Sequence, residues 1–286
     1  MNWNIVELNP YHPRPYVFTE AARCLRHSIE AAGYPCAVHQ SVVPPEGVSV
    51  VFGLFPEHPL VEMLDPRRTL LFNLEQLGSS SSLVSEKYLQ LLGRYGGFDY
   101  NSSNLSVRHA MGMDMPAFEL PLLPCLPVLP SPVVCEKTTD ILFFGSINPR
   151  RSALLDQLES AGCCVERIAG AYGSELTPAL QRRKLVLNLH FYETALFGPL
   201  RCLQPVEQGV PIVNETSVFS RWNDWSKSGM VFADYTDLSD ACLALLALST
   251  QERLTRATSA SAFCTTVDFP AAFGLALKNL SQHINF

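Results

Sequence analysis

The sequence predicts an α/β protein of two units facing each other, each built from strands that alternate with helices. Three observations carry this expectation. Short runs rich in Val, Ile, Leu and Phe recur between helical patterns along the whole chain. The stretch "PLLPCLPVLPSP" (121–132) holds five prolines, which remove backbone donors and fix φ, so it suits neither a helix interior nor a central strand. The parts on either side are each long enough to bury their own core. The expected organisation is therefore a first unit over 1–120, an extended connector over 121–136, a second unit over 137–250 and C-terminal helices over 251–286.

In the first part, "NIVEL" (4–8) reads as a strand, followed by the polar turn "NPYHPRP". The next segment places Phe18, Ala22, Leu25, Ile29 and Ala32 at three- and four-residue steps and closes at Gly33, a helix with a glycine stop. Further strands are expected at 36–40, 48–55 and 69–75. A helix follows at 83–95, then "GFDYNSS" as strand and turn, then the run "AFELPLL". The second part opens with strand "DILFFGS" (140–146) and helix "PRRSALLDQLESAG", with Asn148 as N-cap and Pro149 at the first helical position. Strand "CCVERIAG", helix "SELTPALQRRK", strand "LVLNLH", helix "PLRCLQPVEQG" and strand "PIVNE" come next. "GMVFADY" and helix "LSDACLALLAL" complete a doubly wound parallel sheet. The remainder is helical with a break near Pro270.

The composition narrows the function classes. Of 286 residues 47% are hydrophobic and 17% charged, and the net charge of −6 opposes a general affinity for nucleic acid or anionic membrane. The nine cysteines are odd in number and scattered without metal-ligand spacing, so reduced thiols and no metal site are expected. The N-terminal residues lack a signal-peptide core and no apolar run approaches the ~20 residues of a membrane span. A cytoplasmic protein without an integral membrane segment is the expectation.

In an open parallel sheet, ligands bind beyond the carboxyl ends of the strands, which directs attention to five turns. After "DILFF", Gly145 and Ser146 allow close backbone approach, and Arg150 and Arg151 fall in the first helical turn, where the helix dipole disfavours cations. A phosphate or diphosphate would reconcile the two; solvated arginines, or one paired with Glu159 or a distant carboxylate, would do so as well. At "LNLHFYE", Asn188 and His190 end a strand, and His190 is a candidate for proton transfer or for a bond to sugar or phosphate, against a histidine simply bonded to backbone. Arg201 again places a cation at a helix start, and Gln204, Glu207 and Glu215 are candidates for ribose hydroxyls. The loop "NPYHPRP" carries Tyr11, His12 and Arg14. "FNLEQL" (72–77) ends a strand in Asn73 and Glu75, the latter a candidate general base or acceptor-binding group.

On these residues the chain resembles the GT-B glycosyltransferases, of the bacterial "glycosyl transferases group 1" type. The resemblance runs through "DILFFGSINPRRSALLDQLESAG", "LVLNLHFYE" and "PLRCLQPVEQGVPIVNE" and extends faintly over the first part. It implies two facing Rossmann-like domains, with a terminal helix crossing back to the first. It also implies a nucleotide diphosphate sugar as donor substrate, with no cofactor and no metal. Gly145, Ser146, Arg150, Arg151 and Arg201 would then lie near the diphosphate, and Asn188, Gln204 and Glu215 near the nucleotide. His12, Glu75 and His190 are the candidate catalytic residues. Retaining members often carry an acidic pair spaced E-x7-E; the corresponding places here are Leu196 and Gln204, so retaining chemistry does not follow. The acceptor is left open among glycan, small molecule, protein and nucleic-acid base. The alternatives are a phage-type DNA-base glycosyltransferase and a nucleotide or nucleotide-sugar binder without catalysis. An ordinary dinucleotide enzyme is disfavoured by the missing G-x-G-x-x-G.

Overall fold

A computed structural model describes residues 2–8, 17–78, 83–126, 137–192, 196–219, 222 and 224–284. It divides into two units: Met1–Leu123, Ser220–Asn223 and Asp268–Phe286 form unit 1, and Pro124–Phe219 with Asp224–Val267 form unit 2.

Unit 1 contains β1 (Trp3–Glu7), α1 (Thr19–Ala31), β2 (Cys36–Gln40), β3 (Val48–Phe52), β4 (Thr69–Asn73), α2 (Glu86–Arg94), β5 (Gly97–Asp99), α3 (Ser102–Ala110) and β6 (Ala117–Glu119). The six strands run parallel in the order β2-β1-β3-β4-β5-β6. Strands β1, β3 and β4 are buried along their whole length, as strands covered on both faces must be. The final residues of β1, β4, β5 and β6 are Glu7, Asn73, Asp99 and Glu119, so polar groups collect at the carboxyl end of an apolar sheet. Glu7 replaces a local cap for α1, whose N-cap position is Phe18. Its carboxylate accepts from the Phe18 N–H at 2.9 Å and the Thr19 hydroxyl at 2.8 Å.

Unit 2 contains β7 (Thr139–Phe144), α4 (Pro149–Ser160), β8 (Val165–Ile168), α5 (Thr177–Gln181), β9 (Arg183–Asn188), α6 (Leu200–Glu207), β10 (Ile212–Glu215), β11 (Val231–Ala233), α7 (Leu238–Ala247) and α8 (Thr250–Thr265). Its five strands are parallel in the order β11-β10-β9-β7-β8. That order sets the carboxyl ends of β7, β9 and β10 side by side.

The last helix, α9 (Phe269–Leu280), belongs to unit 1, as the expected crossing helix would. Phe273 packs its ring against Trp3 at 5.1 Å and Tyr34 at 5.5 Å. The stretch Thr250–Leu280 is long and apolar enough by composition to cross a membrane, and 44% of its most apolar window is buried in the structure. It is interrupted between α8 and α9, where the Asp268 side chain caps the second helix.

Two expectations about elements are corrected. "GFDYNSS" holds a strand, but the residues after it form helix α3. Its serines and asparagines are weak helix formers, and the helix exists because Asn101 caps it and Arg108 donates to the Leu92 carbonyl at 2.9 Å. The expected helix over 174–184 shrinks to α5. Arg183 and Lys184 instead begin β9, where Lys184 pairs with Asp140 at 2.7 Å and Arg183 with Glu166. Of the residues singled out above, Tyr11, His12 and Arg14 lie outside the described residues, as do connector residues 127–136.

Candidate functional site

The start of α4 explains its two arginines. Asn148 caps the helix by accepting the Arg151 N–H at 2.9 Å, and its amide group donates to the Phe191 carbonyl at 2.7 Å. Arg151 is buried to 1% exposure and reaches across to the segment that follows β9. It donates to the carbonyls of His190 at 3.1 Å, Ser146 at 2.6 Å and Leu189 at 2.5 Å. Burial, with Arg201 and Arg150 nearby, lowers its pKa to about 9, so it is still charged at neutral pH. Arg150 forms a two-pronged ion pair with Glu215 at the end of β10 and lies over the Tyr235 ring, 3.9 Å from its centroid. The Tyr235 hydroxyl returns a hydrogen bond to the Arg150 carbonyl at 2.7 Å. The dipole conflict is thus met inside the protein: three carbonyls serve Arg151, and a distant carboxylate serves Arg150.

Arg201, at the start of α6, differs from both. It donates to the Leu189 carbonyl at 3.0 Å and has no carboxylate partner among the described residues. Its guanidinium sits against Gly145, which has φ of 126°; a Cβ there would lie 2.8 Å from Arg201 Nη2. Glycine at 145 therefore gives both a left-handed bend and the space that the Arg201 guanidinium itself fills. Burial lowers the Arg201 pKa.

His190 is held as a neutral ring. Burial pushes its pKa down to about 4, with Glu215 opposing and Arg150, Arg151 and Arg201 adding to the depression. Its Nε2 lies 2.7 Å from the Ser217 hydroxyl, which itself lies 2.9 Å from the Glu215 carbonyl. A carbonyl can only accept, so Ser217 gives its proton there and His190 Nε2–H donates to Ser217. The backbone N–H of His190 donates to the Glu215 carboxylate at 3.0 Å. Both a backbone role and a strand-end position are therefore realised in this one residue.

Asn188 and Gln204 turn inward. Asn188 donates to Asn214 at 3.0 Å across β9 and β10, and Gln204 to the Gly173 carbonyl at 2.7 Å. Glu207 accepts from the Cys125 N–H at 2.6 Å. Glu215, by contrast, lines a pocket of about 440 Å³ together with Arg150, Thr216, Asp234 and Tyr235. Asp234 and Tyr235 were not singled out from the sequence. They are the last two residues of "GMVFADY" and follow β11 directly, so the rule that led to the other turns would have found them.

In unit 1, Glu75 sits in the turn after β4, and burial raises its pKa. Asn73 and Asp99, at the ends of adjacent strands, are bonded at 2.7 Å beneath it.

No family model matches the sequence. Mimivirus protein L138, described as uncharacterized, is 31% identical over 105 residues, 36% of this chain and 12% of that protein. The chain thus spans a small part of that curated relative. Among solved structures, Anabaena HepE in complex with UDP and glucose superposes with a TM-score of 0.58 at 11% identity, covering 99% of this chain and 100% of that one. WaaG, a glycosyltransferase involved in lipopolysaccharide biosynthesis, gives 0.56 at 10% identity, with 98% and 99% covered. Two parallel α/β sheets, a C-terminal helix returned to the first unit, and likeness over nearly the whole length lead to one conclusion: the chain has the fold of the GT-B glycosyltransferases.

Proposed function

We propose that this protein transfers a sugar from a nucleotide diphosphate sugar, and that unit 2 holds the donor without a metal. The observation that carries the reading is Arg201: a largely buried guanidinium with no carboxylate partner among the described residues, packed against Gly145 in the turn after β7. A buried cation of this kind is stabilised by an anion, and a diphosphate supplies one with acceptor oxygens suited to the guanidinium fork. As the glycosidic bond breaks, negative charge grows on the leaving diphosphate. A fixed guanidinium and the start of α4 stabilise that charge, the task a metal performs in other transferases.

Arg151 has a different part from the one its position suggested. It anchors the Leu189–His190 backbone against which Arg201 also leans, and so sets the cation's place. Arg150, Glu215, Asp234 and Tyr235 line the open pocket in which the nucleoside is placed by this reading, with the Asp234 carboxylate available to ribose hydroxyls and Glu215 holding Arg150 in place. His190, neutral and bonded internally, is a positioning group here rather than a proton donor. The structure of HepE with UDP and glucose supports a nucleotide sugar donor by likeness of fold.

UDP, GDP and TDP titrated by calorimetry test the reading. One of them is expected to bind, with affinity unaltered by a chelator. Arg201→Gln should weaken it about tenfold to a hundredfold, the loss of one charge-assisted contact. Equal affinity in the variant would remove Arg201 from the site. Gly145→Ala should also weaken binding, because its Cβ displaces the guanidinium. That substitution should cost roughly 1–2 kcal/mol of stability for the left-handed backbone, read from the urea midpoint.

Binding without turnover is a second reading. It is favoured by Leu196 and Gln204 at the places of the acidic pair, with the Gln204 amide already bonded to Gly173. Release of UDP from a bound sugar donor, measured with sugar acceptors present, separates the two.

A further inference from the structure

Toward its amino end the unit 1 sheet carries polar side chains on a face that is otherwise apolar. Ser49, the second residue of β3, stands in register with Thr69, the first of β4, and with Asn4 of β1 on its other side. Two residues further along the same strands are Val6, Val51 and Leu71, which belong to one buried hydrophobic cluster. Residues two apart in a strand share a face, so Asn4, Ser49 and Thr69 form a polar row beside that cluster. Asn4 is satisfied there: its amide donates to the Glu46 carbonyl at 2.8 Å, and its Oδ1 lies 3.1 Å from His39 Nε2. Ser49 and Thr69 are each 2% exposed, and neither hydroxyl forms a hydrogen bond among the described residues.

Both residues line a groove of about 510 Å³, a size within the range of small-molecule sites. The groove exists because residues 41–47 join β2 to β3 without a helix, which leaves this part of the face partly uncovered. Its walls are apolar. Val43 and Leu60 pack on the core cluster and Leu64 belongs to it, while Val42 and Met63, 62% and 76% exposed, stand at the rim. Arg68 lines the groove as well. Its Nε and Nη2 donate to the Gly47 carbonyl at 3.1 and 2.8 Å, which fixes the guanidinium and leaves Nη1 unused; it has no carboxylate partner among the described residues. Asp65 is on the same lining, but it accepts the Arg67 N–H at 2.9 Å, and the two arginines outweigh its charge.

We propose that this groove binds a small monocarboxylate with an apolar body: the anion pairs with Arg68 and accepts from the Ser49 and Thr69 hydroxyls, and the hydrocarbon lies along Val43, Leu60 and Met63. Stability alone explains the hydroxyls poorly. Alanine at 49 and valine at 69 would continue the face of Val51 and Leu71 without burying an unpaired polar group. Two hydroxyls would serve a neutral ligand equally well, and the unpaired guanidinium decides for an anion, whose carboxylate form matches its planar fork. An ammonium group would be repelled by Arg68 and would leave donors unsatisfied among the apolar walls. Ser49 and Thr69 stand at the opposite end of the strands from Asn73 and Asp99, so such an acid is a ligand additional to any sugar donor or acceptor. The site lies wholly within unit 1 and does not rest on the transferase reading.

Calorimetric titration of the full chain with octanoate below its micelle concentration tests this, with octanol and octylammonium as neutral and cationic counterparts. Octanoate should bind, and the other two about tenfold more weakly or not at all. Arg68→Gln should weaken octanoate about tenfold and Thr69→Val about threefold. Because Arg68 also holds Gly47, a second pair of variants changes only the exposed rim: Met63→Glu should bind octanoate about threefold more weakly than Met63→Lys, an ordering that a purely structural Arg68 would not produce. Arg201→Gln should bind it as the wild type does. N-acetyl-leucyl-leucine presents the same carboxylate at a peptide end and should bind no more tightly than octanoate. The proposal is overturned by a wild type that does not bind octanoate, by octanol binding as tightly, by equal affinity in the two Met63 variants, or by tighter binding of the dipeptide, which would assign the groove to a peptide terminus.

Discussion

Replacing Arg151 by methionine is expected to lower the unfolding free energy by about 2–4 kcal/mol, a larger effect than the loss of any surface arginine. The wild-type side chain satisfies the carbonyls of Ser146, Leu189 and His190. Methionine fills much of the space but donates nothing. Each orphaned buried acceptor costs about 1–3 kcal/mol, and some of that is recovered because a charged guanidinium no longer has to be desolvated. Leu189 keeps its bond from Arg201 and His190 a longer one of 3.3 Å from Arg150, which is why the expected loss is not the full sum. Urea unfolding followed by circular dichroism measures it. An unchanged midpoint would show that the carbonyls find other donors. Because Arg201 leans on the same backbone, nucleotide affinity should fall as well, although Arg151 is not placed against the ligand.

The second large effect belongs to Asp99 and depends on pH. Burial pushes its pKa up to about 7, against the opposing pull of the hydrogen bonds from Asn73, Asn104 and Asn101 and of the charge of Arg108. A carboxyl whose pKa is higher in the folded than in the unfolded chain binds more protons when folded. Its contribution to stability is therefore greatest below the unfolded pKa near ~4 and declines as pH rises toward about 7. The slope over that window is about 1.4 kcal/mol per pH unit, so the total is on the order of 4 kcal/mol. Asp99→Asn removes this titration. It also sets one carboxamide N–H against the N–H of Asn73 or Asn104, at about 1–3 kcal/mol. The variant should thus be less stable than the wild type near pH 5, and the deficit should shrink or reverse toward pH 8. Urea midpoints of both proteins across that range decide it. A difference independent of pH would place the Asp99 titration outside the window.

The alternation of strands and helices was legible because period and punctuation act over a few residues. Asn148 followed by Pro149 announces the α4 start through local capping alone, and Gly145 announces a bend. Helix α3 was illegible for the same reason reversed: serine and asparagine lower its local preference, and it is held by bonds to residues outside it. The rule that polar strand ends collect at one edge directed attention to Glu75, His190 and Glu215. It could not distinguish Gln204 and Asn188, whose amides are spent inside unit 2, from Glu215, which faces an open pocket.

The sequence by itself determined the fold class and the succession of strands and helices, since hydrophobic period, proline and glycine act through neighbouring residues. Only the tertiary structure decided what each polar group does there. Arg150 finds Glu215 across 65 positions, and Arg151 finds the carbonyls after β9, because the order β10-β9-β7 brings those strand ends together. Strand order is set by which faces bury best against each other over the whole unit, and no local pattern carries that information.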